Sequence, residues 1–189
     1  MRVFIGIPLP DYYQQMLGKI RDEWDNRLTS MLAWTKPCNW HITLKFLGDV
    51  DNDQVNELKK YLSGISFEDF ALRGHKSGFF GSRGQYRVFW LGVDGDVQKL
   101  ILLAENLDKG LGDLGFEHEK RPFKAHLTLA RIKNFVKSDP WNDLSSRVDS
   151  LEWPAFKVER VNLWQSILSP HGPKYKVLLS REPHSDDHF

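Results

Sequence analysis

The chain of 189 residues has a single cysteine, Cys38. An intramolecular disulfide is therefore impossible, and the usual staple of a small secreted domain is missing. Cys38 stands three residues before His41, but no neighbouring residue is assigned as its base, and the matching later position is Phe123. It is not read as a nucleophile. Charge of one sign is lacking too, since 26 Lys and Arg offset 25 Asp and Glu to leave +1. That balance carries no global nucleic-acid signature, so any grip on phosphate must come from local placement of basic groups. No apolar run approaches membrane-spanning length, and Pro8 interrupts the first residues too early for a signal peptide. A cytoplasmic protein with no membrane partner is expected. There is no HExxH and no run of Cys, His and carboxylates, so no metal or other cofactor is expected.

What the chain has is a stretch that occurs twice. His41-Ile42-Thr43-Leu44 returns as His126-Leu127-Thr128-Leu129, 85 residues later. At the same offset Arg2-Val3-Phe4 returns as Arg87-Val88-Phe89, and Lys36-Pro37 as Arg121-Pro122. Three blocks at one offset indicate an internal duplication, roughly residues 1–80 and 86–168. In a strand, alternate side chains share a face, so each copy sets a His beside a Thr and buries its Ile or Leu. Two such strands facing one another would make a site of two imidazoles and two hydroxyls.

The hydrophobic pattern predicts the surrounding elements. Arg2 to Leu9 reads as a strand, and Asp11 caps a helix carrying Met16, Leu17, Ile20, Trp24 and Leu28. After a loop ending at Pro37, Trp40 to Leu47 is the first His strand, followed by a helix from about Asp53 to Ser63. Phe67 to Phe80 is extended, with a bend or bulge at Gly74 and Gly78, and residues 81–84 form a turn. Arg87 to Val93 is a strand, Val97 to Leu111 a helix, and Lys124 to Arg131 the second His strand. Ser138 or Asp139 before Pro140 starts a short helix to about Val148. Phe156 to Leu168 and Lys174 to Arg181 close the fold as paired strands, leaving a polar tail at 182–189. The expected class is α+β: one bilobal domain over 1–181, two pseudo-symmetric lobes each with an antiparallel sheet flanked by helices, and a groove between them.

With those residues in view, the chain resembles the two-histidine phosphoesterase superfamily, in particular its RNA 2′,3′-cyclic phosphodiesterase branch, also called 2′-5′ RNA ligases. The likeness spans nearly the whole chain. It rests on Phe4-Ile5-Gly6-Ile7-Pro8, on Trp40 through Gly48, on His126 through Arg131, and on Ser166, Leu168 and Gly172-Pro173 with Tyr175. Ala125 stands where relatives often have Pro, and Cys38-Asn39-Trp40 where an acidic residue, Asn and Leu are more usual.

The resemblance implies that His41 and His126 are the acid–base pair opening an RNA 2′,3′-cyclic phosphate to a 2′-phosphate, extending to reversible 2′-5′ ligation. Thr43, Thr128 and Arg131 would hold the phosphate. The partner is then an RNA end or nucleotide bearing that cyclic phosphate, bound by a monomer. Histidine suits both roles, since its ordinary pKa of about 6.5 lets both protonation states coexist near neutrality. Strict alternation assigns the remaining neighbours. Lys45 falls on the face of His41 and Thr43, and Lys124 on that of His126, where either would draw a polyanion toward the groove. Phe46 shares parity with Ile42 and Leu44, which favours core packing over base stacking. Arg131 points away from His126 unless the strand bends, and Tyr175 lines the groove or packs in the core. His75, His118, His171, His184 and His188 are given surface or loop roles. Alternatives that keep both motifs are action on another cyclic phosphate or a 2′-5′-linked oligonucleotide, and a non-catalytic RNA-end binding module. A structural zinc protein would need further ligands near both histidines.

Overall fold

The computed structural model describes residues 1–82, 84–170 and 172–184. In chain order the elements are β1 (Arg2–Pro8), α1 (Asp11–Trp24), β2 (Met31–Trp34), a 3-10 turn (Pro37–Asn39), β3 (His41–Asp49), α2 (Asn52–Gly64), β4 (Ala71–Ser82), β5 (Gln85–Gly95), α3 (Val97–Asp113), β6 (His126–Asn134), α4 (Trp141–Asp149), β7 (Phe156–Lys157), β8 (Val161–Ile167) and β9 (Lys174–Arg181). The fold is α+β.

Two antiparallel arms form the sheet, ordered β7-β4-β5-β6-β3-β1-β8-β9, with β2 also paired to β6. The two His strands meet in the middle through one residue pair, Ile42 with Leu127. The arms exchange strands. β4 precedes β5 in sequence yet lies in the arm with β6, while β8, late in the chain, pairs with β1. The ladders also set Gly6 opposite Thr43 and Trp90 opposite Thr128, which equates residues 84 apart and slips the Arg-Val-Phe match by one. Gly6 is required at its position, because a Cβ there would sit 2.5 Å from the Ile42 carbonyl oxygen.

Helical spacing turns one apolar stripe of each helix onto the sheet: Tyr13, Leu17, Ile20 and Trp24 in α1, Val55, Leu58 and Leu62 in α2, and Leu100, Leu103, Leu107 and Leu111 in α3 are buried. Ile5, Ile42, Leu91 and Leu127, on strands of both arms, are wholly buried in the same core.

Several local expectations give way to tertiary packing. Helix α1 ends at Trp24, and the stretch expected as loop contributes β2, with Leu32 opposite Ile132 of β6. Asp11 is the first helical residue rather than a cap. Asp139 does not cap α4 either; its carboxylate accepts the backbone N–H groups of Thr29 (3.0 Å) and Ser30 (2.7 Å) and ties down the approach to β2. The capping box sits instead on α2, where Asp51 and Gln54 bond reciprocally. The extended stretch after Phe67 pairs as a strand only from Ala71, and its ladder shifts between Gly74 and Ser77, where Lys76 has φ 49°. The region from Phe156 to Leu168 breaks in two, because β7 pairs with β4 and β8 with β1.

Candidate active site

Where the two His strands separate, they line a cavity of about 540 Å³. His41, Thr43 and Phe46 from β3 face it, as do His126, Thr128 and Arg131 from β6, and Tyr175 from β9. Lys36 and Lys133 add positive charge, and among the described residues no carboxylate lines it. Such a cavity attracts an anion.

Both imidazoles are held the same way. His41 Nδ1 lies 2.6 Å from the Asn39 carbonyl oxygen, and His126 Nδ1 2.7 Å from that of Lys124. A carbonyl oxygen can only accept, so in each ring Nδ1 carries the hydrogen and Nε2 presents its lone pair. Thr43 Oγ1 lies 2.9 Å from His41 Nε2 and donates to it in that tautomer. Asn39 is itself fixed, its side-chain N–H donating to the Pro173 carbonyl at 2.7 Å, which anchors the segment leading to Tyr175. On the other strand Thr35 Oγ1 donates to the Thr128 carbonyl at 2.9 Å.

Aromatic rings surround the histidines. His41 is 4.7 Å from Phe4, 5.5 Å from Trp164 and 5.4 Å from Tyr175, centroid to centroid; His126 is 5.0 Å from Phe80. Burial drives the His41 pKa down to about 4; its bond to Asn39 opposes this, and the nearby His126 adds to it. Burial also lowers His126, reinforced by the charges of Lys124 and Arg131 and opposed by the Lys124 carbonyl. Burial raises the Tyr175 phenol, against a smaller pull from Arg131. Both imidazoles are thus neutral at neutral pH.

Phe46 and Arg131 reach the cavity through a feature that alternation does not foresee. Between Gly6 opposite Thr43 and Ile5 opposite Lys45, strand β3 holds one residue more than β1, and that residue is Leu44. Strand β6 does the same against β5, where Thr128 faces Trp90, Ala130 faces Phe89, and Leu129 is the extra residue. Each is a β-bulge three residues after its His, and a bulge shifts every later side chain to the opposite face. Leu44 and Lys45 therefore both point inward, as do Leu129 and Ala130. Phe46 swings out to 61% exposure, and Arg131 joins it on the groove face. The assignment of Phe46 to the core is corrected accordingly. Lys45 is corrected in the opposite sense, being only 3% exposed, with Nζ bonded to Asp108 Oδ1 of α3 and to the Glu117 carbonyl, each at 2.5 Å. Lys124 stays off the cavity lining, its ammonium lying over the rings of Phe80 (4.9 Å) and Trp90 (4.6 Å). Cys38 is exposed and does not line the cavity.

With this geometry in place, the sequence profile of LigT-like phosphoesterases matches the chain twice, over residues 7–90 and 91–175. The chain belongs to the LigT-like phosphoesterase family. Among curated relatives, the RNA 2′,3′-cyclic phosphodiesterase of Archaeoglobus fulgidus is 34% identical over 94% of this chain and 98% of its own length. The enzyme of the same name from Thermotoga maritima is 32% identical over 94% and 93%. In three dimensions the crystal structure of TT0787 of Thermus thermophilus superimposes with a TM-score of 0.77 at 27% identity, covering 96% of this chain and 97% of the other. E. coli LigT complexed with 3′-AMP shares the fold, with a TM-score of 0.76 at 23% identity and coverage of 96% and 97%. In this member of the family, Trp34, Lys36, Asn39, Lys133 and Gly172-Pro173 also line the cavity. Of these, Asn39 and Gly172-Pro173 stand in stretches weighed for the family resemblance, and Lys36 drew notice through a match to Arg121 that is not spatial: Arg121 borders a separate recess beside Asp108. His118 pairs with Asp108 at 2.9 Å, while His171 and His188 fall outside the described residues.

Proposed function

We propose that the protein hydrolyses 2′,3′-cyclic phosphates at RNA ends, leaving 2′-phosphates. The observation that carries the reading is the placement of two imidazoles, each anchored through Nδ1 with Nε2 as its proton-exchanging atom, beside Arg131 in one cationic cavity. The curated relatives named for this reaction support it.

Water attacks phosphorus opposite the ribose O3′; the new P–O bond forms as the P–O3′ bond breaks. One imidazole takes the proton of the water and the other gives a proton to O3′, so the protons balance within the pair. Thr43, Thr128 and Arg131 donate to the non-bridging oxygens as charge builds on them. Phe46 offers its exposed ring to the base. Phe46 and His41 both neighbour Phe4, at 6.0 and 4.7 Å, so a nucleoside on Phe46 brings its ribose to the His41 side. His41 is then the acid for O3′ and His126 the base for water. Burial opposes a proton on His41, and the anionic phosphate restores it on binding. If a 5′-hydroxyl takes the place of water, the same steps join two RNAs through a 2′-5′ linkage. A deoxy end lacks the 2′ oxygen and cannot form the substrate.

The test is turnover of a cyclic-phosphate oligonucleotide in EDTA. Wild type is expected to yield a 2′-phosphate end, with His41→Ala and His126→Ala each slower by about 10³-fold or more. A substrate with a 4-nitrophenyl leaving group needs no acid, so it should rescue His41→Ala and leave His126→Ala inactive. Absence of turnover by wild type would overturn the reading.

A further inference from the structure

The face that carries His126 and Thr128 does not end at the cavity. Trp90 lies opposite Thr128, Gly78 opposite Trp90, and Phe80 opposite Val88, which in turn faces Arg131. Trp90 and Phe80 therefore extend the same face of the sheet outward across β5 and β4. Their rings stack at 5.1 Å with 30° between planes, and Phe80 meets His126 edge-on at 5.0 Å. The indole lies flat because its neighbour is a glycine: a Cβ on Gly78 would come within 2.4 Å of it. The result is an aromatic shelf beside His126, with the Lys124 ammonium resting on both rings. None of these three side chains takes part in the proton transfers or holds the phosphate between the histidines.

We propose that this shelf binds the nucleotide that precedes the cyclic-phosphate end in an RNA strand. The proposal rests on the phosphodiesterase reading and adds a second subsite to it. A nucleoside on Phe46, with its phosphate between the histidines, leaves the shelf bare, so only a longer strand fills it. A flat aromatic surface suits any base, and the exposed Lys124 ammonium, moved off the rings by that base, suits the phosphate joining two nucleotides. Both lie against the reacting centre, on the side away from Phe4. The substrate preferred by this protein is accordingly a polynucleotide end rather than a free nucleoside cyclic phosphate.

Three substrates test this: a nucleoside 2′,3′-cyclic phosphate, a dinucleotide with the same end, and that dinucleotide with its first base removed. The dinucleotide is expected to show a KM about tenfold lower than the mononucleotide, from base–aromatic stacking. The abasic dinucleotide should lose most of that gain. Trp90→Leu should narrow the gap to less than about twofold, with turnover of the mononucleotide unchanged; Lys124→Ala should narrow the ratio of the two KM values likewise, read as a ratio because the Lys124 charge also acts on His126. Equal KM for mononucleotide and dinucleotide in wild type, or a gain that survives both substitutions, overturns the second subsite while the phosphodiesterase reading stands. Failure to hydrolyse any of the three would defeat the underlying reading instead.

Discussion

Among single residues, Arg131 and Phe46 occupy matching places on the two His strands and do unlike work. In the proposed reaction Arg131 stabilises charge that grows on the phosphate, so Arg131→Ala should lower kcat by about 10²- to 10³-fold. In the same proposal Phe46 holds a base that does not change during the reaction, so Phe46→Ala should raise KM by about tenfold with kcat little altered. Steady-state kinetics separates the two, and an equal fall in kcat for both would remove the distinction. His41 makes a second prediction, on stability. Burial lowers its pKa to about 4, from 6.5 in the unfolded chain, so between those values only the unfolded state is protonated. The stability that depends on a neutral His41 is full above about pH 6.5 and is lost as pH falls toward 4. Denaturant unfolding across that window should slope for wild type and flatten in His41→Asn; identical slopes would show that the imidazole is not held neutral.

At the scale of elements, the two bulges separate what could be read in the chain from what could not. The His-x-Thr pairs lie before Leu44 and Leu129, where alternation holds, and they stand where period-two reasoning puts them. Lys45 and Phe46 lie after the bulge, and alternation sends each to the wrong face. No local residue announces the bulge, since Leu44 and Leu129 are ordinary strand residues; it shows only in the slip of one ladder against the next. Strand β2 escaped notice for a related reason, as its four residues become a strand only by pairing with β6. The bulge also gives Lys45 a task. From β3 it reaches Asp108 on α3 and the Glu117 carbonyl, in the segment that leads to His126. Burial alone would raise the Asp108 pKa, but bonds from Lys45, His118 and the Glu119 N–H hold it down at about 2. Lys45→Met would take one charge-assisted bond from a carboxylate that keeps His118 and the Glu119 N–H, and a loss of about 1.5–3 kcal/mol is expected in urea unfolding. Asp108→Asn is expected to cost more, about 3 kcal/mol or above, because it leaves the buried Lys45 ammonium without its nearest anion. The contribution of Asp108 holds above about pH 4 and fades as pH falls toward 2, a window lying below that of His41.

Across the whole molecule, the exchange of β4 and β8 between arms makes each half of the sequence incomplete by itself. The first half gives β4 to the arm of β6, and the second gives β8 to the arm of β3. A fragment of residues 1–84 would expose the edge of β1 that β8 covers and leave β4 with no partner. Unfolding of the intact chain should accordingly be a single transition by both far-ultraviolet circular dichroism and tryptophan fluorescence, and the fragment should show no cooperative transition. Two separated transitions in the intact chain would contradict this. The duplication was legible from the His-x-Thr pairs, but the exchange was not, because offsets record likeness between segments and are silent on which edges pair.

The pair Ile42–Leu127 sits where the two arms meet, with a His-Thr unit on either side of it. A phosphate placed there finds nearly the same surroundings after half a turn, and with those groups alone the groove would have no front or back. The aromatic ring at one bulge and the guanidinium at the other break that tie. They give the groove a polarity, so that a strand threads it one way round, much as a keyed plug enters its socket. Exchanging the two side chains, in Phe46→Arg with Arg131→Phe, would set that key against the aromatic shelf beside His126, and the groove would hold neither orientation well.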